Sequence, residues 1–456
     1  MNTVTSPPPS SVTGAPGGLP LLGHALRLLR SPLDYLQSLR GLGDIVQIRV
    51  GSSPLYVVTS SECIHQVLVT HAESFERGRL FDKATAAIGK GLVVSNGSFH
   101  RRQRKLLQPG FHRARIHGYM ETIHRQVDAQ IAGWSPGAHL SLREEMHRLT
   151  LNAVTGTLFG ANTEERIAIE IGDYIDAANS WVGLHTVFSG HVFERLPIPI
   201  NQAFVRKKAR FNEIIAAYIE SRRADDRDQG DLLSALLAAQ DDETGQGMSD
   251  EQLRMEISGL FVAGSETTAT ALTWLFHEVG RHPEVEARLH AEVDAVLGGR
   301  PVTMEDLPRL QYLQNVISET LRRHSPIWVL TRRTLRAMEL AGTHLPAGAE
   351  VIISPMMVHR DPRLHPEPLR FDPDRWLPER MQKIPRHAFI PFGEGKHKCI
   401  GDVFARTEMV IAVATIASRW RLVPVPGHRV REVPRAVLRP NQVLMTAVPR
   451  SSTPAP

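Results

Sequence analysis

The stretch "PFGEGKHKCIG" at residues 391–401 places a cysteine among glycines and cations, directly before a long apolar helical pattern. Cys399 is one of two cysteines in 456 residues, so no disulfide framework exists and the usage fits a reducing compartment. The dipole of the following helix and the positive charges of Lys396, His397 and Lys398 favour a thiolate here. The neighbouring glycines would let the backbone pass close to a flat or bulky group.

Three interpretations of Cys399 stay open on the residues alone. A lone cysteine is most often a small buried hydrophobic residue. A nucleophilic cysteine needs a base, and no partner site is evident in the sequence. Without a second cysteine nearby, zinc or iron–sulfur ligation is disfavoured, which leaves a site that needs a single thiolate, such as haem iron.

The same stretch resembles the Phe-x-x-Gly-x-Arg/His-x-Cys-x-Gly signature of the cytochrome P450 family. The residues on its fixed positions are Phe392, Gly395, His397, Cys399 and Gly401. The resemblance implies that Cys399 is the proximal thiolate ligand of iron in haem b (heme b, iron protoporphyrin IX). It also implies that Phe392 lies against the haem and that His397 meets a haem propionate, where the family usually has Arg.

A long helix is predicted from "SDEQLRMEISGLFVAGSETTATALTWLFHEVG", residues 249–280. Ser249 and Gln252 form a capping box at its start, and we expect about thirty helical residues that end before Gly280 and Pro283.

The middle of this helix, "AGSETT", interrupts an apolar run with an acid and two threonines. On the residues alone, the hydroxyls could bond back to the preceding turn while Glu266 faces solvent, or the polar group could serve a function. The stretch resembles the family's oxygen-pocket motif. That resemblance implies that Glu266 and Thr267 relay protons, that Gly264 leaves room for dioxygen, and that Thr268 is a supporting neighbour.

The stretch "SETLRR" puts Glu319 and Arg322 three residues apart on one helix face. Alone, such a pair is usually a solvated contact worth about a few tenths of a kcal/mol. It resembles the family's Glu-x-x-Arg motif, and "FDPDRW" downstream resembles the Phe-x-Pro-x-Arg element. The resemblance implies a buried network of Glu319, Arg322 and Arg375 that holds the loop before Cys399, with a structural role.

Basic residues elsewhere are candidates for the haem propionates. His100 and Arg104 stand one turn apart in "FHRRQR", a pattern that is also typical of a solvated basic face. The resemblance implies that both bind a propionate, and that Arg333 rather than Arg332 is the propionate arginine beside a small strand. "HRDP" at residues 359–362 also resembles the family and is expected to serve packing.

The remaining patterns predict a mainly α fold with small β-sheets, the cytochrome P450 fold, as one domain over residues 19–450. Disordered tails are expected at residues 1–18, rich in Pro, Ser and Gly, and at residues 451–456. The predicted elements are a hairpin at 44–60, helices over most of 116–297, a helix at 313–323, strands in "WVLTRRTL" and "AEVIISPM", a loop at 361–391, a helix from about 400 to 420, and strands in "RLVPVP" and "QVLMTAVP".

The resemblance implies a monooxygenase that inserts one oxygen atom from O2 into a C–H bond while the second oxygen leaves as water. The expected pocket walls Leu260, Phe261, Ala263 and residues 326–330 are apolar, which favours a neutral hydrophobic substrate. "PIWVLTRR" and "RFDPDRWLPER" are similar to soluble bacterial members that oxidise cyclic terpenes.

Other functions stay open. Fatty acid or polyketide hydroxylation is the alternative within the same chemistry. A haem-thiolate peroxygenase or isomerase needs no proton relay, so intact Glu266 and Thr267 argue against it. A non-catalytic haem protein, or a protein without haem and with a buried Cys399, is the remaining possibility.

Composition constrains the partners. The net charge of +5, from 53 Lys and Arg against 48 Asp and Glu, is scattered, so we expect no nucleic acid partner. No apolar run approaches the ~20 residues that span a bilayer, so we expect no membrane association and a cytoplasmic monomer. No segment remains for a reductase domain. Electrons are therefore expected from a separate ferredoxin and ferredoxin reductase, docking near Lys396 and Lys398.

Overall fold

The structure is a computed structural model that describes residues 12–160, 165–187, 196–225 and 227–450. Backbone contacts divide the chain into two compact units. Unit 1 comprises Met1–Asp82, Ile327–Arg370 and Gln382–Cys399, and unit 2 comprises Lys83–Pro326, Phe371–Met381 and Ile400–Pro456. The prediction of one domain over residues 19–450 stays a prediction.

The predicted tail at 451–456 lies outside the described residues, as do residues 1–11 of the predicted tail at 1–18. Regular structure nevertheless begins before residue 19, because Thr13–Gly14 pairs with a strand that starts at Ile45.

The α-helices are α1 (Ala25–Arg30), α2 (Pro32–Ser38), α3 (Ser61–His65), α4 (Arg79–Ile88), α5 (Gly97–Leu107), α6 (Arg113–Ala132), α7 (Leu142–Phe159), α8 (Glu165–Val187), α9 (Pro199–Ala224), α10 (Leu232–Ala238), α11 (Asp250–Arg281), α12 (Pro283–Leu297), α13 (Gln311–Arg323), α14 (Pro355–His359), α15 (Pro378–Met381) and α16 (Asp402–Arg419). A π-helical turn spans Gln66–Thr70, and 3-10 turns span Ala72–Ser74, Gln108–Phe111, Leu307–Arg309, Pro373–Trp376, Arg386–Ala388 and Gly395–His397.

The strands are β1 (Thr13–Gly14), β2 (Ile45–Val50), β3 (Ser53–Val58), β4 (Phe75–Arg77), β5 (His139–Ser141), β6 (Leu330–Thr334), β7 (Met338–Leu340), β8 (Thr343–Leu345), β9 (Glu350–Ile353), β10 (Trp420–Pro424), β11 (Glu432–Pro434), β12 (Leu438–Pro440) and β13 (Leu444–Pro449). The mainly α composition with small sheets agrees with the predicted fold class.

Unit 1 is built on a sheet with the strand order β1-β2-β3-β9-β6-β4. The predicted hairpin is the antiparallel pair β2–β3, in which Ile45 faces Val58 and Val46 faces Val57 across the ladder. Because side chains alternate along a strand, the first pair packs into one apolar cluster and the second pair into another. Both faces of this sheet are therefore covered.

Unit 2 is helical, and α11 packs along α7 in its interior. The predicted final helix and the two strands after it are α16 and the antiparallel pair β10–β13. The expectation that α11 ends before Gly280 is wrong, since the helix continues to Arg281. A Cβ on Gly280 would lie 2.8 Å from the Leu422 carbonyl oxygen. The missing side chain therefore lets β10 pack closely against α11, and Gly280 does not end the helix.

Candidate functional site

The cysteine loop of unit 1 presents Cys399 at its surface. Cys399 is exposed in the structure, whereas Cys63 is 2% exposed within the apolar core. The Cys399 N–H donates to the Phe392 carbonyl over 2.9 Å, and the Lys398 N–H donates to the Gly395 carbonyl over 3.0 Å. These two bonds close the loop on itself. Because Cys399 is exposed, the interpretation of this cysteine as a buried core residue does not hold.

Backbone geometry explains a signature glycine in this loop. Gly395 has a φ of +67°, a conformation that residues with a side chain rarely adopt. A Cβ at this position would also collide with the Leu68 carbonyl. Gly395 is therefore required by both conformation and space.

Side chains of unit 1 hold the same loop from two sides. Glu394 Oε2 lies 3.1 Å from His65 Nδ1, and Lys396 Nζ lies 3.3 Å from Glu73 Oε2. The Ile390 N–H donates to His359 Nε2 over 2.9 Å in a fully buried contact. The "HRDP" histidine thus fixes the chain that enters the loop, which is more specific than the packing role expected for it.

Phe392 and His397 are two further signature residues in the loop before Cys399. Phe392 is half-buried and supplies the carbonyl that accepts from Cys399. His397 ends the 3-10 turn Gly395–His397 and is also half-buried. Helix α16 begins only at Asp402, so Cys399 precedes its first turn instead of lying within it.

The two neighbouring arginines of β6 lie on opposite faces of the strand. Arg333 donates to Glu350 over 2.8 Å, to Asp82 over 2.6 Å and to Glu76 over 3.3 Å. Arg332 is 4% exposed, donates to the Thr331 carbonyl, and has no carboxylate partner within the described ranges. Burial lowers the pKa of Arg332 to about 10. Of the two, Arg332 is the one that still lacks an anionic partner, so the geometry favours it over the predicted Arg333.

One stripe of α11 in unit 2 faces open space. The helix starts at the predicted cap, with Ser249 Oγ accepting from the Gln252 N–H over 3.2 Å. The Gln252 side chain donates to Glu256 over 2.8 Å, so only the Ser249 half of the predicted capping box is formed. Between the first and last turns of this fully described helix, Ala263 is the one exposed residue. Thr267, one turn later, is half-buried and donates from Oγ1 to the Ala263 carbonyl over 2.7 Å. Ala263 and Thr267 therefore share the face that a ligand could reach.

Glu266 does not face solvent, contrary to one of the two interpretations left open by the sequence. Its side chain is 13% exposed, and Oε2 lies 3.5 Å from Nε2 of His147 on α7. Burial raises the pKa of Glu266, while the nearby positive charges of His147, Arg439 and Arg143 act in the opposite direction. The carboxyl can therefore hold a proton in a partly dry environment.

Packing bears on two expectations about this motif and its neighbours. A Cβ on Gly264 would lie 3.2 Å from Cγ2 of Val154, so this glycine allows α7 and α11 to approach closely. The room for dioxygen expected at Gly264 stays a prediction. Phe261 is 0% exposed and packs against Phe159 and Phe211, so it belongs to the core and cannot line a pocket.

The structure brings Glu319, Arg322 and Arg375 together in unit 2. Glu319 accepts from Arg322 through both oxygens at 2.8 Å, and both side chains are 0% exposed. Arg375 Nε lies 3.5 Å from Glu319 Oε1. The Asp372 N–H and the Trp376 indole N–H donate to the same carboxylate over 3.0 and 3.1 Å. This geometry has the buried network that the sequence predicted.

His100 and Arg104 lie on one face of α5, four residues apart. His100 is 2% exposed, and Arg104 is half-buried. Arg101 and Lys105, on the other side of the helix, are exposed. The pair is therefore directed inward, which the interpretation as a solvated basic face does not explain.

The family model described as "Cytochrome P450" matches residues 14–449. The chain belongs to the cytochrome P450 family. Over 439 residues it is 44% identical to "Cyclooctatin synthase" of Streptomyces melanosporofaciens, with 96% of each chain covered. Over 426 residues it is 39% identical to "Pentalenene oxygenase" of Streptomyces avermitilis, covering 93% of this chain and 94% of that one. The prediction of a cytochrome P450 monooxygenase is confirmed.

The fold is also that of a solved structure. "Crystal structure of cytochrome P450DA heme domain" aligns with a TM-score of 0.85 at 24% identity, covering 98% of this chain and 99% of that one. The predicted cytochrome P450 fold is confirmed. No helix in the described ranges is long and apolar enough to cross a membrane.

Membership of the P450 family implies a haem, and the residues present fit one. Cys399 offers an exposed thiol in unit 1, and Arg332 is a buried cation that lacks an anionic partner among the described residues. In unit 2, Ala263 is exposed in the middle of α11. Among the described residues, no group of three His, Cys, Asp or Glu side chains could hold a metal ion.

Three further polar residues on or beside α11 were not singled out from the sequence. Glu408 on α16 is 0% exposed, and burial raises its pKa to about 8. Glu256 on α11 accepts from the Leu92 N–H over 2.8 Å, and burial raises its pKa to about 7. His147 on α7 lies beside Glu266. Each is a polar residue within a predicted helix, and an acid in an apolar run was the one signal available for Glu408.

Proposed function

We propose that this P450 inserts one oxygen atom from O2 into a C–H bond of a neutral, cyclic terpene, with haem b as cofactor. Electrons would come from a separate ferredoxin and ferredoxin reductase. The observation that carries the proposal is the exposed Cys399 on a loop with every fixed residue of the family signature. A single exposed thiolate ligand is what haem-thiolate oxygen chemistry requires.

Five residues would hold the haem. Cys399 would supply the thiolate ligand, while Arg332, His100, Arg104 and His397 would supply positive or hydrogen-bonding groups for the propionates. When bound, the haem supplies the redox chemistry that activates oxygen. Arg332 replaces Arg333 in this assignment, because Arg333 already has carboxylate partners.

The choice between the two arginines has a matched test. Arg332→Gln should lower the haem content per mole of purified protein and speed haem transfer to apomyoglobin, since a propionate would lose its cation. Arg333→Gln should leave both values near those of the parent protein. Equal haem retention in the two variants would contradict the assignment of Arg332.

The side chains of Glu266 and Thr267 would then transfer and position protons. Thr267 Oγ1 bonds to the Ala263 carbonyl at rest, so it can accept a second hydrogen bond through its free lone pairs. Burial raises the pKa of Glu266 and so favours its protonated form, which can donate as well as accept a hydrogen bond. We assign Glu266 as the proton donor and Thr267 as the group that positions the proton at the reacting oxygen.

The terpene class is supported by the relatives, which include terpene-oxidising bacterial P450s. It is also supported by the exposed Ala263 and half-buried Leu260 on α11, which would offer an apolar surface to the substrate.

The substrate class can be tested with purified holoprotein. We expect neutral polycyclic terpenes to shift the ferric haem from low to high spin, and turnover under isotopically labelled O2 to add one labelled oxygen atom. Fatty acids of similar carbon number should give neither result. A spin shift and labelled product from fatty acids alone would overturn the terpene assignment while leaving the monooxygenase intact.

Ferredoxin docking near Lys396 and Lys398 is part of the proposal. Lys398 is exposed, while Lys396 is half-buried beside Glu73. An electrostatic encounter predicts that the rate of haem reduction by ferredoxin falls as ionic strength rises. Reduction rates that do not change with salt would count against this surface. The expected monomeric state and cytoplasmic location stay predictions.

A further inference from the structure

His147 on α7 lies beside the Glu266 carboxyl and keeps contact with solvent. Its Nε2 is 3.5 Å from Glu266 Oε2, and its side chain keeps 19% exposure against 13% for Glu266. That nitrogen is buried and makes no hydrogen bond in the part of the chain that the structure describes. An imidazole with one nitrogen turned to a carboxyl, on a side chain that solvent reaches in part, can carry a proton between the two.

Packing between α7 and α11 fixes this geometry. Thr150, three residues after His147, donates from Oγ1 to the Ser265 carbonyl over 3.0 Å. Gly264 lies against Val154 closely enough that a Cβ would make a 3.2 Å contact. The residues before Glu266 are therefore held to α7, which keeps the Glu266 carboxyl at the level of His147.

The charged groups around Glu266 come from three further elements. His147 and Arg143 lie on α7, Arg439 on β12 and Asp176 on α8. The pKa of Glu266 is raised first by burial and also by Asp176, and it is lowered by His147, Arg439 and Arg143. An arginine does not release its proton in proteins, so His147 is the one basic side chain of this set that can pass a proton on.

We propose that His147 supplies Glu266 with protons from solvent, as a positioning residue that acts through Glu266. The proton on Nε2 moves to Glu266 Oε2, and solvent returns one proton to the imidazole, so charge and protons balance over a cycle. The inference rests on the proposed function, since it concerns the same relay. It adds the point at which that relay meets solvent.

The protonation of Glu266 can be followed directly in ferric holoprotein. The infrared carboxyl band that disappears in Glu266→Gln is titrated against pH in each variant. His147→Gln should raise the midpoint by about one pH unit, because a nearby positive charge is lost. His124→Gln is the matched control, since His124 pairs with Asp128 on α6 and is not among the groups acting on Glu266. An unchanged midpoint in His147→Gln would overturn the inference.

Proton supply is separated from simple charge by His147→Arg, which keeps the cation but cannot pass on a proton. With a terpene that gives product, we expect His147→Arg to retain the parent carboxyl midpoint. It should direct several-fold fewer of the electrons supplied by ferredoxin into product, release more peroxide and show a larger solvent isotope effect. Parent-like coupling in His147→Arg would contradict proton supply.

Glu266→Gln separates failure of the proposed relay through Glu266 from failure of the role proposed for His147. If that variant couples normally, the proposed relay through Glu266 fails, and the inference fails with it. If Glu266→Gln is uncoupled while both His147 variants behave like the parent protein, the relay stands and the role of His147 is refuted. The carbon monoxide spectrum of each variant reports whether the haem site itself is intact.

Discussion

Glu319→Gln should destabilise the protein strongly. The Glu319 carboxylate accepts two 2.8 Å bonds from Arg322 and one each from Trp376 and the Asp372 backbone. Glutamine keeps the volume but replaces one acceptor with a donor that points at a guanidinium. Arg322 and Arg375, at 0% and 4% exposure, would lose the negative charge of the carboxylate that they share.

Removing one partner of a buried ion pair typically costs about 3–5 kcal/mol, so we expect a loss of about 4 kcal/mol in the free energy of unfolding. Urea unfolding followed by far-ultraviolet circular dichroism measures it. Glu213→Gln is the matched control, because Glu213 pairs with Arg210 at the same i,i+3 spacing on an exposed helix face. It should unfold like the parent protein. A Glu319→Gln variant within about 1 kcal/mol of the parent would refute the reasoning.

Three other predictions concern pH, a loop anchor and a glycine. Burial raises the folded-state pKa of Glu408 from 4.5 to about 8, so the stability that this group contributes is present at low pH and is lost as pH rises through about 8. In thermal unfolding measured against pH, Glu408→Gln should lack this loss of stability. Glu256→Ala should speed hydrogen exchange at the Leu92 amide in a mass-spectrometric exchange experiment, whereas exposed Glu251→Ala should not. Gly395→Ala should lower haem content, because its Cβ collides with Leu68, while Gly393→Ala has open space and should lower it less.

The signature motifs predicted the fold because their residue types are needed wherever the chain makes the same turn. Gly395 is an example, since its positive φ and its contact with Leu68 exclude any side chain. Glu319 and Arg322 were equally predictable, because their i,i+3 spacing brings them together on any helix. What the spacing could not reveal is their complete burial, which depends on Asp372 and Trp376 from a distant segment.

The roles of residues that depend on partners distant in sequence could not be predicted in the same way. Arg332 and Arg333 are adjacent and chemically alike, and only the carboxylates gathered around Arg333 distinguish them. Gly264 lies inside a motif associated with oxygen, yet its contact is with Val154 on another helix. His147 is an ordinary polar position on α7 until that helix is packed beside Glu266. Tertiary packing decides all three.

The carbon monoxide difference spectrum of the dithionite-reduced protein tests the central claim most directly, measured beside Cys399→Ala and Cys63→Ala. Cys63 is the matched control, since it is the other cysteine of the chain and is buried in the core. If Cys399 supplies the thiolate ligand, we expect the red-shifted band of a thiolate-ligated carbonyl in the parent protein and in Cys63→Ala, and its loss in Cys399→Ala. A spectrum of the imidazole-ligated type that Cys399→Ala leaves unchanged would contradict it.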